Sequence, residues 1–189
     1  MHLDEIVDMD TYDRVMFCDI DTLFLDKPSV LFDASDADIS FAREDRPITS
    51  HVFNTCFTDQ QMKSFPTGTN GVNSGQFVAR NGIASKLWEH WRFTLKNRWV
   101  RNNKVQDQGP FNAMLFYGDH DWKIEELPKG YVRFPWTSRR LSDHWDAKFL
   151  HYCGWNGGNK IRVGLQELLG LRVKEGDHYK IMERIKDLL

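Results

Sequence analysis

The chain has 189 residues, which is enough for one domain of ordinary size with a substantial buried core. Lys and Arg number 25 against 27 Asp and Glu, leaving a net charge of −2, and the basic residues form no stripe, so we expect no nucleic-acid partner. The sequence has no membrane-spanning apolar run, and Cys18, Cys56 and Cys153 are scattered, which favours reduced thiols over a disulfide framework.

The first part of the chain predicts a helix and then a strand that ends in acidic residues. Residues 3–12 have a charged, helical pattern, and residues 15–19 predict a short strand whose apolar residues lead to Asp19. Residues i and i+2 of a strand point to the same side, so Asp19 and Asp21 can converge on one hard cation. Two carboxylates placed in this way can bind a divalent cation, which is how a metal-bound diphosphate is gripped.

The Asp-x-Asp pattern alone is a weak indication, because it occurs four times in the chain. Only Asp19 and Asp21 follow an unbroken apolar strand, and ligands of open α/β sheets gather beyond the carboxyl ends of strands. The other pairs lie beside polar residues and turns: Asp8/Asp10, Asp36/Asp38 and Asp119/Asp121. Position along the chain therefore distinguishes the second pair.

The middle of the chain predicts two strands that are separated by a long connection. Ile39 and Phe41 alternate with polar neighbours, which predicts a strand over 38–42. Residues 43–73 are polar and rich in turn residues, and residues 75–80 predict the next strand. A connection of that length is typical of a lid or a binding loop.

The second half of the chain alternates helices with short strands. Apolar residues recur every four residues along 82–99, which predicts an amphipathic helix with its tryptophans in the core. The other predicted elements are a helix over 107–116, strands over 123–127, 131–134 and 148–152, and a last helix beginning at Asp177. This alternation predicts an α/β class in a single domain over 1–189.

Four segments carry polar residues whose order is more specific than any one segment. They are Cys18-Asp19-Ile20-Asp21-Thr22-Leu23, Asn73-Ser74-Gly75-Gln76-Phe77, Asp107-Gln108-Gly109-Pro110-Phe111-Asn112, and His151-Tyr152-Cys153-Gly154 with Lys160. Together they resemble glycosyltransferase family 8 and its relatives, the retaining nucleotide-sugar transferases that include glycogenin and bacterial galactosyltransferases. The resemblance covers about residues 10–160. It implies a GT-A-like fold, in which a Rossmann-like sheet is flanked by helices.

The resemblance also implies a metal site. In that family the Asp-x-Asp pair and the histidine of the last segment bind Mn²⁺, which here means Asp19, Asp21 and His151 with Mn²⁺ or another divalent cation. A divalent ion would neutralise charge on a nucleoside diphosphate leaving group. The alternative for His151 is a buried strand histidine whose hydrogen bonds are satisfied.

The two middle segments are implied to meet the donor sugar. Asn73, Ser74 and Gly75 match the donor-binding segment, and a polar turn entering a strand is the alternative. Asp107 and Gln108 match the pair near the anomeric carbon, where a side-chain amide can stabilise oxocarbenium charge. The alternative for Asp107 is a helix cap.

The last segment is implied to contact the leaving diphosphate through Gly154 and Lys160. Lys160 departs from the family pattern, because residues 155–159 lie between it and the glycine where the family has a shorter spacing. Asp45 is a further candidate to contact the sugar, although the charge run over 43–46 is typical of a solvated surface.

The expected function is transfer of a hexose from a nucleotide diphosphate sugar, uridine-linked by resemblance, to a carbohydrate or protein hydroxyl with retention. The sugar, the acceptor and the cellular compartment do not follow from these residues. The family's nucleoside-binding half precedes its Asp-x-Asp strand, and only 18 residues precede Asp19. We therefore expect that half to be largely missing, which would leave Val15–Cys18 as an apolar edge prone to oligomer formation.

Two other classes of protein fit part of the pattern. A haloacid-dehalogenase-type phosphatase would use Asp19 as nucleophile and Asp21 as acid/base, but its motif has a residue between the second aspartate and Thr-Leu, whereas Thr22 follows Asp21 directly. A non-catalytic sugar-binding remnant would keep the fold and lose turnover. Three observations distinguish these classes. Metal-dependent hydrolysis of the donor would support the transferase, and formation of a phosphoaspartate would support the phosphatase. Binding of an acceptor without either reaction would support the sugar-binding remnant.

Overall fold

The structure is a computed structural model, and it describes residues 8–97, 107–135, 144 and 146–153. The helix predicted to begin at Asp177 and two predicted donor-binding residues, Gly154 and Lys160, lie outside the described residues. The chain divides into two compact units, which we call unit 1 (Met1–Phe17 and Ser35–Glu126) and unit 2 (Cys18–Ala34 and Leu127–Leu189). The single domain over 1–189 stays a prediction.

The described residues form seven strands and four α-helices. The strands are β1 (Arg14–Cys18), β2 (Thr22–Phe24), β3 (Ile39–Pro47), β4 (Asn70–Arg80), β5 (Ile124–Glu126), β6 (Val132–Arg133) and β7 (Phe149–His151). The helices are α1 (Ser29–Phe32), α2 (Asp59–Ser64), α3 (Ala84–Asn97) and α4 (Gln108–Tyr117). No described helix has the length and apolar character that crossing a membrane requires.

Unit 1 is built on a four-stranded sheet with the order β1-β4-β3-β5. Strand β3 runs antiparallel to β4 and parallel to β5, and Phe41 pairs with Phe77. The predicted helices over 82–99 and 107–116 are confirmed as α3 and α4 in their described parts. Trp88 and Trp91 of α3 are buried in the core, as the four-residue apolar spacing predicted.

The predicted connection over 43–73 was wrong at both ends, because β3 continues to Pro47 and β4 begins at Asn70. The β3–β4 register shifts after Phe41 and again after Arg43, so polar residues extend the strand without regular alternation. Between the strands, α2 begins at a capping box in which Thr58 Oγ1 accepts from Gln61 N and Gln61 Oε1 accepts from Thr58 N. Local polarity predicted a loop, but long-range pairing determined the strand ends.

Unit 2 contains a three-stranded sheet with the order β2-β7-β6. Strand β2 runs antiparallel to β7, with Thr22 opposite His151, and β6 runs parallel to β7. The sheet packs on a small core formed by Leu25, Ala147, Leu150 and Tyr152. The sequence did not predict β2 or α1, because three or four residues are too few for a recognisable period.

Candidate functional site

Three predicted metal ligands lie together in unit 2. Candidate ligand atoms of Asp19, Asp21 and His151 all lie within 4.8 Å of one another. His151 Nε2 lies 3.1 Å from Asp21 Oδ1 and 3.4 Å from Asp19 Oδ2. The side chain of His151 is 1% exposed, whereas those of Asp21 and Asp19 are 17% and 44% exposed. The group is therefore buried on its histidine side and accessible on its carboxylate side.

Antiparallel pairing of β2 with β7 brings the histidine to the carboxylates. His151 is paired with Thr22, the residue after Asp21, and Tyr152 N donates to Asp21 O at 2.9 Å. Asp19 and Asp21 occupy the turn between β1 and β2, as predicted from the apolar strand before them. The turn and the ladder therefore hold three distant side chains in one place.

Burial and the carboxylates act on the pKa of His151 in opposite directions. Burial disfavours the imidazolium and lowers the pKa, but hydrogen bonds and charge attraction from Asp19 and Asp21 outweigh it and raise the pKa from 6.5 to about 9. The protonated ring is thus the favoured form beside two carboxylates in the absence of a metal. A cation at this position would replace the proton on Nε2.

The donor set fits a divalent cation such as Mn²⁺. Two carboxylates supply hard oxygen ligands, and a neutral imidazole supplies a nitrogen ligand that manganese also accepts. The ring of His151 is held by the strand and lies against Phe134, with the ring centroids 5.7 Å apart. Within the described part of the chain, His151 Nδ1 is buried and has no hydrogen-bond partner. Nε2, which faces Asp19 and Asp21, is therefore the nitrogen placed to bind a cation.

The second predicted group lies in unit 1, where Asn73 of β4 and Gln108 of α4 are in contact. Asn73 Nδ2 donates to Gln108 Oε1 at 3.2 Å, and Ser74 N donates to the same oxygen at 3.3 Å. Asn73 Oδ1 accepts from Gly75 N at 2.8 Å. The structure therefore joins residues from two separate sequence segments, although Asn73 is 1% exposed and lies inside a strand instead of a polar turn.

Asp107 precedes α4 and is exposed. Its side chain makes no capping hydrogen bond to the helix, so the alternative role as a side-chain cap is not realised in the structure. Its backbone oxygen accepts from Trp91 Nε1 at 3.0 Å and from Phe111 N at 3.1 Å. The backbone of Asp107 is therefore fixed against α3 and α4.

Glu44 belongs to the unit 1 group and was not among the predicted site residues. It is 2% exposed, and its Oε1 accepts from Asn73 Nδ2 at 2.7 Å and from Gln108 Nε2 at 3.1 Å. The neighbouring candidate Asp45 is exposed, in keeping with the solvated surface that its charge run predicted. The sequence carried no periodic signal for Glu44, because the register of β3 against β4 shifts on both sides of Arg43.

Residues 2–162 match the family model of nucleotide-diphospho-sugar transferases. The match covers most of the chain, so the chain belongs to this family. This membership and the helix-flanked sheets confirm the predicted α/β transferase fold class. No curated protein sequence matches the chain significantly.

Solved glycosyltransferase structures are similar to the chain at low identity. The bifunctional glycosyltransferase WbbM, in apo form, is 13% identical over 93% of this chain and 35% of its own, with a TM-score of 0.49. Mouse xyloside xylosyltransferase 1, in apo form, is 19% identical over 79% of this chain and 60% of its own, with a TM-score of 0.47. The galactosyltransferase LgtC, solved with donor and acceptor sugar analogues, is 16% identical over 90% of this chain and 66% of its own, with a TM-score of 0.46. The chain thus spans from about a third to about two thirds of these structures.

Proposed function

We propose that the chain is a metal-dependent glycosyltransferase that moves a hexose from a nucleotide diphosphate sugar to an acceptor hydroxyl with retention, as in glycosyltransferase family 8. The convergence of Asp19, Asp21 and His151 carries this proposal, because a family member that grips a diphosphate through a cation needs such a donor set. The donor is proposed to be uridine-linked, and the acceptor is a hydroxyl of a carbohydrate or a protein.

The metal ligands have a defined role in this reaction. Asp19, Asp21 and the neutral ring of His151 would hold Mn²⁺ or a similar ion. When bound, the ion neutralises charge on the diphosphate and makes it a better leaving group. The partial exposure of Asp19 and Asp21 leaves a path for a phosphate to reach the site. Gly154 and Lys160 are proposed to contact the same diphosphate.

The residues of unit 1 are proposed to act on the sugar. Asp107 would hydrogen-bond sugar hydroxyls, and the amide oxygen of Gln108 would stabilise positive charge at the anomeric carbon. Asn73, Ser74 and Gly75 are proposed to bind the donor, and the hydrogen bonds from Asn73 and Ser74 to Gln108 support a shared function.

The bond changes balance without a further reactant. The bond from the anomeric carbon to the diphosphate oxygen breaks, and its electron pair leaves with that oxygen. The acceptor hydroxyl oxygen forms the new bond on the same face of the sugar, and its proton passes to the departing diphosphate. Configuration at the anomeric carbon is retained, because the acceptor oxygen enters on the face of the sugar from which the diphosphate leaves.

The experiment is to incubate the chain with Mn²⁺ and UDP- or GDP-hexoses, and to measure release of nucleoside diphosphate with and without chelator. We expect release that needs Mn²⁺ and is lost in Asp19→Asn and Asp21→Asn. The matched control is Asp121→Asn, which alters an exposed aspartate of another Asp-x-Asp pair. Loss of activity in the control alone, or phosphoaspartate formation on Asp19 with a phosphate ester, would contradict the proposal.

A further inference from the structure

Glu44 is a buried acid that contacts two side-chain amides. Its side chain is 2% exposed, and desolvation of a carboxylate costs several kcal/mol unless charges and hydrogen bonds offset it. Arg46 Nε lies 3.7 Å from Oε2, within ion-pair range of the carboxylate. On its other oxygen, Glu44 accepts hydrogen bonds from the side-chain amides of Asn73 and Gln108. The carboxylate therefore acts directly on two residues of the proposed donor-binding group.

The hydrogen bonds of Glu44 define how the Gln108 amide is turned. An ionised carboxylate only accepts hydrogen bonds, so the amide must present Nε2 to Glu44, as it does at 3.1 Å. The opposite end of the amide, Oε1, then faces Asn73 Nδ2 and Ser74 N. Asn73 is held in the same way, since its Nδ2 donates to Glu44 Oε1 at 2.7 Å.

The local backbone aims Glu44 at this amide. The β3–β4 pairing shifts register on both sides of Arg43, and such bulges redirect side chains, frequently next to active sites. Asn112 holds the other side of the group, because its side chain bonds Val72 of β4 and the backbone oxygen of Gln108. Gln108 is thus fixed at both its backbone and its side chain.

We propose that Glu44 is a positioning residue for Gln108, which orients the amide and increases the negative charge on its oxygen. A hydrogen bond from Nε2 to a carboxylate polarises the amide, and the polarised oxygen interacts more strongly with positive charge at an anomeric carbon. This inference rests on the proposed function, because it gives a reason for the orientation of Gln108 in sugar transfer.

The test compares Glu44→Gln and Glu44→Asp with Glu126→Gln, a matched control on the same sheet whose carboxylate bonds Arg43 at 3.1 Å. We expect Glu44→Gln to keep its melting temperature and Mn²⁺ affinity, to change the donor KM little and to lower kcat by about 10-fold or more. Glu44→Asp should retain more of kcat than Glu44→Gln, because it keeps an acceptor-only group. Glu126→Gln should retain kcat.

A double-mutant cycle separates a positioning role of Glu44 from a structural one. When Glu44→Gln is added to the Gln108→Ala variant, kcat should fall little further, because the two residues act through one amide. An equal loss of kcat in both backgrounds, or a loss that follows the melting temperature, would overturn the proposal.

A measurement without turnover separates this inference from the proposed function. The side-chain amide signals of Gln108 in ¹⁵N NMR spectra, assigned by their loss in Gln108→Ala, should shift in Glu44→Gln and not in Glu126→Gln. Unchanged Gln108 signals in Glu44→Gln and Glu44→Asp would overturn the positioning role. If the wild-type chain had no transferase activity but the Gln108 signals shifted in Glu44→Gln, the proposed function would be overturned. The orientation of Gln108 by Glu44 would still hold.

Discussion

His151 Nε2 lies 3.1 Å from Asp21 Oδ1, although the two residues are 130 positions apart in the sequence. The β2–β7 ladder creates this proximity, because it pairs His151 with Thr22. The nitrogen that faces the carboxylates can hold either a proton or a metal ion. Proton binding, metal binding and stability of unit 2 are therefore linked at one atom.

Stability should fall as pH rises through the titration of His151. The folded-state pKa is raised from 6.5 to about 9, so the folded chain holds this proton more tightly than the unfolded chain. The contribution, about 3 kcal/mol at most, is complete below the unfolded pKa and is lost as pH rises through the folded pKa. Urea unfolding of the metal-free chain at a series of pH values measures this. His151→Gln should flatten the decline, and an unchanged slope would contradict the prediction.

Binding of Mn²⁺ should require both carboxylates. Asp19→Asn and Asp21→Asn each replace a charged ligand with a weak neutral one, and we expect affinity to drop by about 10-fold or more, or roughly 1.4 kcal/mol. Calorimetric titration measures the change, with Asp121→Asn as the control for loss of one surface charge. Wild-type Mn²⁺ affinity in both site variants would remove the metal assignment.

The affinity for Mn²⁺ should also fall as pH decreases. The ion must displace the proton from His151, so affinity is expected to weaken progressively below about pH 9, where the protonated ring dominates. In His151→Ala the affinity should be lower and its pH dependence flatter over the neutral range. If the wild-type pH profile persists in that variant, His151 is a structural residue and not a ligand.

Gly109, in the Asp-Gln-Gly-Pro segment, should be required for packing of α4. A Cβ at this position would collide with Thr55 Oγ1, and it would lie 3.2 Å from Thr55 Cβ. Ala is a better helix former than Gly, so any loss in Gly109→Ala reports the collision, which we expect to cost about 1–3 kcal/mol. Thermal unfolding measures the loss. Adding Thr55→Ala should recover part of it, and a stabilised Gly109→Ala chain would show that the packing is looser.

Strand β1 should promote self-association, as the sequence predicted. Among the described strands it lies at one end of the order β1-β4-β3-β5, and Val15 and Phe17 pack on the core. Met16 points to the opposite face, so Met16→Lys would place a charge on an edge strand and oppose pairing. Light scattering after size exclusion should show fewer oligomers than in wild type. Phe93→Lys, which adds the same charge at an exposed residue of α3, is the control, and a monomeric wild-type chain would refute the prediction.

Local sequence patterns were sufficient for several features. An apolar run followed by acids predicted β1 and the position of Asp19 and Asp21, and four-residue apolar spacing predicted α3 and its buried tryptophans. These features depend on neighbours within a few residues, which the sequence displays directly. The motif order also predicted a nucleotide-sugar transferase, and the chain belongs to the nucleotide-diphospho-sugar transferase family, whereas membership of family 8 stays a prediction.

Other features depended on pairing between distant segments. The register shifts of β3 against β4 lengthened both strands into a stretch that reads as a loop, and they turned Glu44 inward to Asn73 and Gln108. The sequence by itself determined the candidate metal ligands, because its motif order predicted that Asp19, Asp21 and His151 share one site. Only the tertiary structure decided that Glu44 meets Asn73 and Gln108. A carboxylate is buried or solvated according to the strand and helix that pack beside it, and those partners lie far away in the chain.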